Sequence, residues 1–306
     1  MPVDHQPTAT ALSRLPPDCP LGGPGWCAAA ASILEATAAK PGNVHPGASF
    51  DDLAYADFVA AGLAIAPAIE RAARQPLGRT ILDAVRASRS VTRSNANLGI
   101  VLLIAPLATA AEPQDVDGVL DRLTTADAEN VWQAIALATP GGMGRSSRDD
   151  LHGPAPTDLR AAMRLAAPRD TIARLWAEGY AGLFAGPVHD LAAELAAGRP
   201  VLDAVIRCQL GQLARQPDTL IARRHGTAVA AAVSRGAADV LAAGSGWRTA
   251  AARFDATLRA PRRLNPGTTA DLVAAAVYIL LRDGRLPHDH IDGAIRSVPF
   301  SDSTPA

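Results

Sequence analysis

The chain has 306 residues, 48% of them hydrophobic and 4% aromatic, with a formal net charge of −1. This length and apolar content supply a substantial core, and the balanced charge without a long basic stripe excludes the electrostatic footprint of a nucleic-acid binder. The longest apolar run, Leu98 to Ala111, contains Pro106 and falls short of a membrane span, and Pro2 to Pro24 lacks the apolar centre of a signal peptide. Cys19, Cys27 and Cys208 have no metal or redox spacing and read as thiols of a reducing compartment, so the expected location is the cytoplasm.

Abundant alanine and scarce aromatics predict an all-α fold: one large multi-helix domain with a buried central helix. Residues 1–23 are expected to be loosely ordered, 24–297 to form the helical catalytic domain, and 298–306 to be a flexible tail. A first helix starts near Gly25 and runs to about Ala39, where Pro41-Gly42 stops it. Asp51 and Asp52 are expected as cap and first-turn acid of a second helix carrying Phe58, Leu63 and Ile65. A third, around Thr80 to Ala87, leads to the Arg93–Asn97 turn and then the apolar segment from Leu98, the expected central helix. Further helices are predicted near 125–138, 158–167, 170–184, 188–197, 200–214, 219–234, 236–244, 248–258, 268–283 and 288–296. No fixed-period repeat or long linker divides them.

Of 29 basic residues, Lys40 alone is a lysine. In a chain that otherwise uses arginine, this marks a place where a compact point charge fits and a planar guanidinium does not. It belongs to a first polar cluster with Glu35, Asn43 and His45. Glu35 stands near a helix end, where the helix dipole disfavours a carboxylate, and a Gly/Pro-rich turn able to wrap an anion follows. Asp51-Asp52 is a second cluster, for which capping alone is a sufficient account. Ser94-Asn95-Ala96-Asn97 is a third, and capping explains one of its amides but not both. The fourth joins Asp218 to Gly226 with Asn265 to Asp271, where Thr268 or Thr269 caps a helix with Asp271 in its first turn. Singly, each cluster has a structural explanation. Together they are the inventory of a site for a phosphate-bearing substrate with Mg²⁺, which favours one or two carboxylates plus substrate oxygens.

Two other features carry less. His288-Asp289-His290 lacks a third protein ligand for a metal. Gly141-Gly142-Met143-Gly144 has neither a preceding strand nor a following Gly-Lys-Ser/Thr, so it is no Walker motif.

From about Trp26 to Gly284 the chain resembles the triphosphoribosyl-dephospho-CoA synthase family. Glu35 with Lys40-Pro41-Gly42 is similar to its Glu…Lys-Pro-Gly opening, and Asp52-Leu53 with Phe58 to its Asp-Met…Phe step. Asn95 to Gly99 resembles its Asn-Thr-His-Lys-Gly motif, and Asp218-Thr219 with Arg223 a later Asp-Thr…Arg segment. Pro266-Gly267 with Ala270-Asp271-Leu272 resembles its Pro-Gly-Gly-x-Ala-Asp-Leu. The resemblance implies a helical enzyme that transfers a 5-triphosphoribosyl unit from ATP to the 2′-hydroxyl of 3′-dephospho-CoA and releases adenine. A carboxylate would stabilise the oxocarbenium-like state and a second would take the hydroxyl proton. The resemblance makes Glu35, Asp52 and Asp271 the catalytic candidates. Lys40, Asn43, Asn95, Asn97, Asp218 and Arg223 are the substrate- and phosphate-binding ones. Glu35 and Asp52 are the expected Mg²⁺ ligands.

The chain departs from the family at Ala96, Asn97 and Leu98, where the family's histidine and lysine are absent, and at Phe50, where a histidine is expected. These departures resemble a shorter branch found in organisms that use tetrahydromethanopterin. For that branch the implied alternative is phosphoribosyl transfer from phosphoribosyl diphosphate to an alcohol. A third alternative is a non-catalytic helical protein that binds a nucleotide or a partner. Expected partners are small molecules (ATP or phosphoribosyl diphosphate, with an alcohol acceptor), with no nucleic acid and no membrane. An alanine-rich helical enzyme of this kind can form a homodimer.

Overall fold

The computed structural model describes residues 15, 18–94, 96–138, 154–288 and 291. Asn95, the Gly141–Gly144 turn, most of the predicted 288–296 helix and the 298–306 tail lie outside them. In order, the helices are α1 (Pro24–Thr37), α2 (Tyr55–Glu70), α3 (Leu77–Val91), α4 (Leu98–Thr109), α5 (Val116–Leu120) and α6 (Thr125–Ala138). Then come α7 (Leu159–Ala166), α8 (Thr171–Ala177), α9 (Ala181–Leu183), α10 (His189–Ala196) and α11 (Val201–Arg215). The series closes with α12 (Thr219–His225), α13 (Thr227–Ala242), α14 (Trp247–Arg259) and α15 (Gly267–Arg282). The described residues contain no strand, only the isolated bridges His45–Ala48 and Phe50–Leu53, and the all-α expectation holds. None of their helices is long and apolar enough to cross a membrane.

Helix α4 is buried from Ile100 to Ala108, as expected of the central apolar segment. It packs against α15 and α3, and α15 packs in turn against α1. Almost every residue of α1 and α15 is also buried. Small side chains explain this close approach: Ala28 to Ala31 in α1 and Ala274 to Ala276 in α15 are fully enclosed. Pro106 sits inside α4 and has no N–H for the carbonyl of Leu102. The fold answers with side chains. Trp176 Nε1 donates to Leu102 O at 3.0 Å and the Tyr180 hydroxyl at 3.1 Å, so the vacated acceptor is satisfied.

A second, smaller hydrophobic cluster is built from α11 to α14, around Leu213, Ile221, Val233, Ala237 and Trp247. The contact of α13 with α14 depends on Gly236, where a Cβ would meet the Phe254 ring at 2.5 Å. That glycine is a packing residue inside a continuous helix, and the predicted break there moves to Gly226, whose φ is +94°. Asp51 and Asp52 also differ from expectation. Helix α2 begins at Tyr55, and Asp57 reaches back to accept the Ala54 N–H at 2.8 Å. The two aspartates occupy the preceding turn, closed by reciprocal Phe50–Leu53 backbone bonds of 3.0 and 3.2 Å. His288 lies edge-on to Trp26, ring centroids 4.6 Å apart.

Candidate active site

Helix α1 ends in a knot of polar groups. The Lys40 side chain is wholly enclosed and its ammonium lies 2.8 Å from Glu35 Oε1. It also donates to the carbonyl of Glu35 and, at 3.3 Å, to that of Ala38. Both carbonyls belong to the helix end, where acceptors lack intrahelical donors. Three ammonium protons therefore meet three converging acceptors, an arrangement a flat guanidinium fork cannot reproduce. This accounts physically for the lone lysine. Burial pushes the Lys40 ammonium down from its ordinary pKa, and the Glu35 carboxylate opposes that shift.

The chain then turns at Gly42, which has φ +81° and no room for a Cβ, since one would lie 2.6 Å from Leu264 O. The Gly42 N–H donates to Asp255 Oδ1 at 2.7 Å, Asn43 Nδ2 donates to Asn265 Oδ1 at 2.8 Å, and Arg259 donates to the Asn43 carbonyl. The segment after α1 is thus fastened along α14 and the loop into α15. Asn43 Oδ1 is buried and accepts no bond there.

Asp218 is buried and fully used. Its Oδ1 accepts the N–H groups of Leu220 (2.9 Å) and Ile221 (3.0 Å), capping α12. Its Oδ2 accepts Thr269 N (2.8 Å) and Thr269 Oγ1 (2.7 Å), capping α15 as well. One carboxylate closes two helix starts. Helix α15 begins at Gly267, so Thr268 and Thr269 stand in its first turn and Asp271 in its second.

Asp271 faces the first turn of α4, where a Cβ on Gly99 would collide with its carboxylate. Burial pushes the Asp271 carboxyl well above the ordinary range, and Glu35, Asp218 and Asp170 add to the rise while Arg223 opposes it. Glu35 and Asp271 therefore share one electrostatic neighbourhood where α1, α4 and α15 meet. Asn97 opens α4 without capping it through its side chain. Its Oδ1 accepts from Ser88 Oγ at 2.7 Å, and its buried Nδ2 has no acceptor. Arg223 pairs with Asp170, the cap of α8.

Asp52 is placed apart from this centre. Its side chain is 71% exposed and paired with Arg263. Arg263 holds its carboxyl below the usual range, with a smaller push from Arg224. Of the expected residues, the fold gathers Glu35, Lys40, Asp218, Asp271 and Arg223, with Asn43 and Asn97 at the edges. It sets Asp52 among arginines. Asp170 and Gly99 join the neighbourhood, and Arg259 and Arg263 flank Phe50 near Asp52, with no local motif to mark them.

Among the described residues, no group of three or more His, Cys, Asp and Glu is arranged to hold a metal. The donor chemistry nevertheless suits Mg²⁺, which takes few protein ligands and completes its shell with water and phosphate oxygens. Glu35 is the fitting donor, because the negative charge it adds beside Asp271 is one that a divalent cation would offset.

A family model described as CitG, ATP:dephospho-CoA triphosphoribosyl transferase, matches residues 23–289. A crystal structure from Archaeoglobus fulgidus, of a protein provisionally named a triphosphoribosyl-dephospho-CoA synthase, has a TM-score of 0.59 to this chain at 22% identity. The likeness covers 74% of this chain and 99% of that one, and at this identity it speaks to the fold. No curated protein matches the sequence.

Proposed function

The chain belongs to the ATP:dephospho-CoA triphosphoribosyl transferase family, and from that premise we propose that it moves the 5-triphosphoribosyl unit of ATP to the 2′-hydroxyl of 3′-dephospho-CoA. The hydroxyl oxygen attacks the ribose anomeric carbon, the bond to adenine breaks, and adenine departs with the bonding electrons. The observation that carries this reading is the Glu35–Asp271 neighbourhood at the start of buried α4. A carboxyl whose proton affinity is raised by burial and by other carboxylates is a stronger proton acceptor once ionised, and taking the attacking hydroxyl's proton is the role given to Asp271. Glu35, fixed by Lys40, offers negative charge to the oxocarbenium-like transition state. Arg223 lies on the phosphate side, and Asn43 and Asn97 bring a buried acceptor and a buried donor that await partners. Asp218 holds the arginine helix and the Asp271 helix together.

Mg²⁺ belongs to the same proposal: Glu35, together with triphosphate oxygens and water, would hold it where it neutralises phosphate charge, leaving Asp271 to act as the base. The cytoplasm suits three buried, unlinked cysteines, and a homodimer is the assembly to look for by sedimentation. A second reading keeps the chemistry and shortens the donor to phosphoribosyl diphosphate, with an alcohol of tetrahydromethanopterin synthesis as acceptor. It is favoured by Leu98 and Phe50, apolar residues where the family resemblance leads one to expect a lysine and a histidine.

The test is product analysis by mass spectrometry with Mg²⁺ present. ATP plus 3′-dephospho-CoA should yield free adenine and triphosphoribosylated dephospho-CoA. No adenine from ATP, with diphosphate released from phosphoribosyl diphosphate and a phosphoribosylated arylamine ribitol formed, overturns the first reading in favour of the second.

A further inference from the structure

At the exposed turn that carries Asp52, two arginines lie over one aromatic ring. The Arg263 guanidinium lies 4.2 Å from the Phe50 ring centroid, and that of Arg259 5.3 Å. Arg259 is committed elsewhere, donating to Asp255 at 2.7 Å and to the Asn43 carbonyl. Arg263 donates to Asp52 Oδ1, while its buried Nε meets no acceptor among the described residues. Burial lowers the proton affinity of Arg224, in the last turn of α12; the charges of Arg263 and Arg223 add to this, and that of Asp52 opposes it. The Arg223 Nε is likewise buried without an acceptor.

A surface cluster of solvated arginines would not show this pattern. Long cationic side chains usually spread apart in water, whereas these converge, and a stacked ring holds one of them in a fixed plane. Two guanidinium N–H groups are shielded from water with nothing to bond, a cost that an incoming acceptor removes. A multivalent anion also adds to the attraction that Asp52 offers Arg224 against the repulsion of Arg223 and Arg263. Phosphate oxygens meet both needs, because the guanidinium fork bonds them in pairs. The ring is also the position where the family resemblance leads one to expect a histidine.

We propose that Arg224 and Arg263, with Phe50 as the platform that orients Arg263, form a phosphate subsite for the triphosphate of the donor. It rests on the transferase reading given above and adds to it the residues that hold the donor's far end. The subsite supplies cationic contacts from the α12 end and the α14–α15 loop. Occupation of Arg263 by phosphate also draws it away from Asp52.

The probe is inorganic triphosphate, titrated calorimetrically into the full chain, with steady-state kinetics in parallel. Arg263→Gln and Arg224→Gln should each weaken triphosphate binding by about tenfold, the scale of one lost charge-assisted contact. Each should raise the KM for ATP to a similar degree and leave the KM for 3′-dephospho-CoA unchanged. Phe50→Leu keeps apolar volume without the ring and should produce a smaller loss in the same direction. Arg262→Gln, on the neighbouring exposed residue, should change neither. Thermal melting of each variant separates lost binding from lost folding, and Arg263→Lys supplies a folded comparison that keeps charge without the planar fork. Unchanged triphosphate affinity in folded Arg263→Gln and Arg224→Gln overturns the subsite even where adenine is still released. Arginine-dependent triphosphate binding without adenine release upholds the subsite while overturning the transferase reading.

Discussion

Replacing Lys40 by methionine removes an ammonium from a place where water cannot take over its bonds. The side chain is wholly enclosed, and its partners are Glu35 Oε1 at 2.8 Å and the carbonyls of Glu35 and Ala38. Methionine keeps most of the volume, so the loss is electrostatic. Glu35 is left as an uncompensated buried charge, and breaking such a pair costs about 3–5 kcal/mol. Against a total stability of about 5–15 kcal/mol, the variant should fold but with a visibly lower urea midpoint. For a denaturant slope near 3 kcal/mol/M the shift is about 1–2 M. The double variant Glu35→Gln/Lys40→Met removes the stranded charge and should regain half or more of the loss. Equilibrium urea unfolding of the two single variants and the double closes the cycle. A single-variant cost below about 1 kcal/mol, accompanied by weaker ATP binding, would refute this reasoning. It would return Lys40 to the phosphate site that the sequence suggests.

Gly99→Ala should force Asp271 away from α4, costing about 1–3 kcal/mol by overpacking and lowering kcat more than it changes the KM for ATP. A folded variant with unchanged kcat would show that the approach of Asp271 to α4 does not matter to the reaction. Asp271 also predicts a pH dependence. Its folded pKa is raised, so the folded chain holds a proton that the unfolded chain has given up. Stability is therefore full below the unfolded pKa of about 3.9 and falls as pH rises through the raised folded value. Asp271→Asn should abolish that decline, stabilising the protein near neutral pH with little effect in acid, while catalysis is lost. Parallel pH–stability curves for the two proteins would contradict the assigned shift.

The helical architecture is legible because local chemistry marks it. Pro41-Gly42 ends α1, Pro106 identifies the odd turn in α4, and alanine-rich segments leave only helices as good solutions. The failures have a common cause in distant partners. Asp51 and Asp52 have the composition of a cap, yet Asp57 reaches back from inside α2 and caps it instead. Gly236 has the composition of a breaker, yet a ring from α14 occupies the space of its missing side chain. Lys40 is conspicuous in the sequence, but only the geometry shows that the neighbouring helix end consumes its three protons. Glu35 and Asp271 lie far apart along the chain and share an electrostatic neighbourhood because α1 packs on α15. Arg263 and Arg259 carry no motif at all, and their significance comes from sharing Phe50.

The double cap at Asp218 has a mechanical meaning. Helix α12 carries Arg223 and Arg224, α15 carries Asp271, and both begin on the same carboxylate. Neither helix can slide along its axis without breaking bonds to the other's anchor. Asp218 therefore acts as a pivot pin, fixing how far the turn that carries Arg223 and Arg224 stands from the helix that carries Asp271. The spacing is held by a side chain whose bonds are all turned inward.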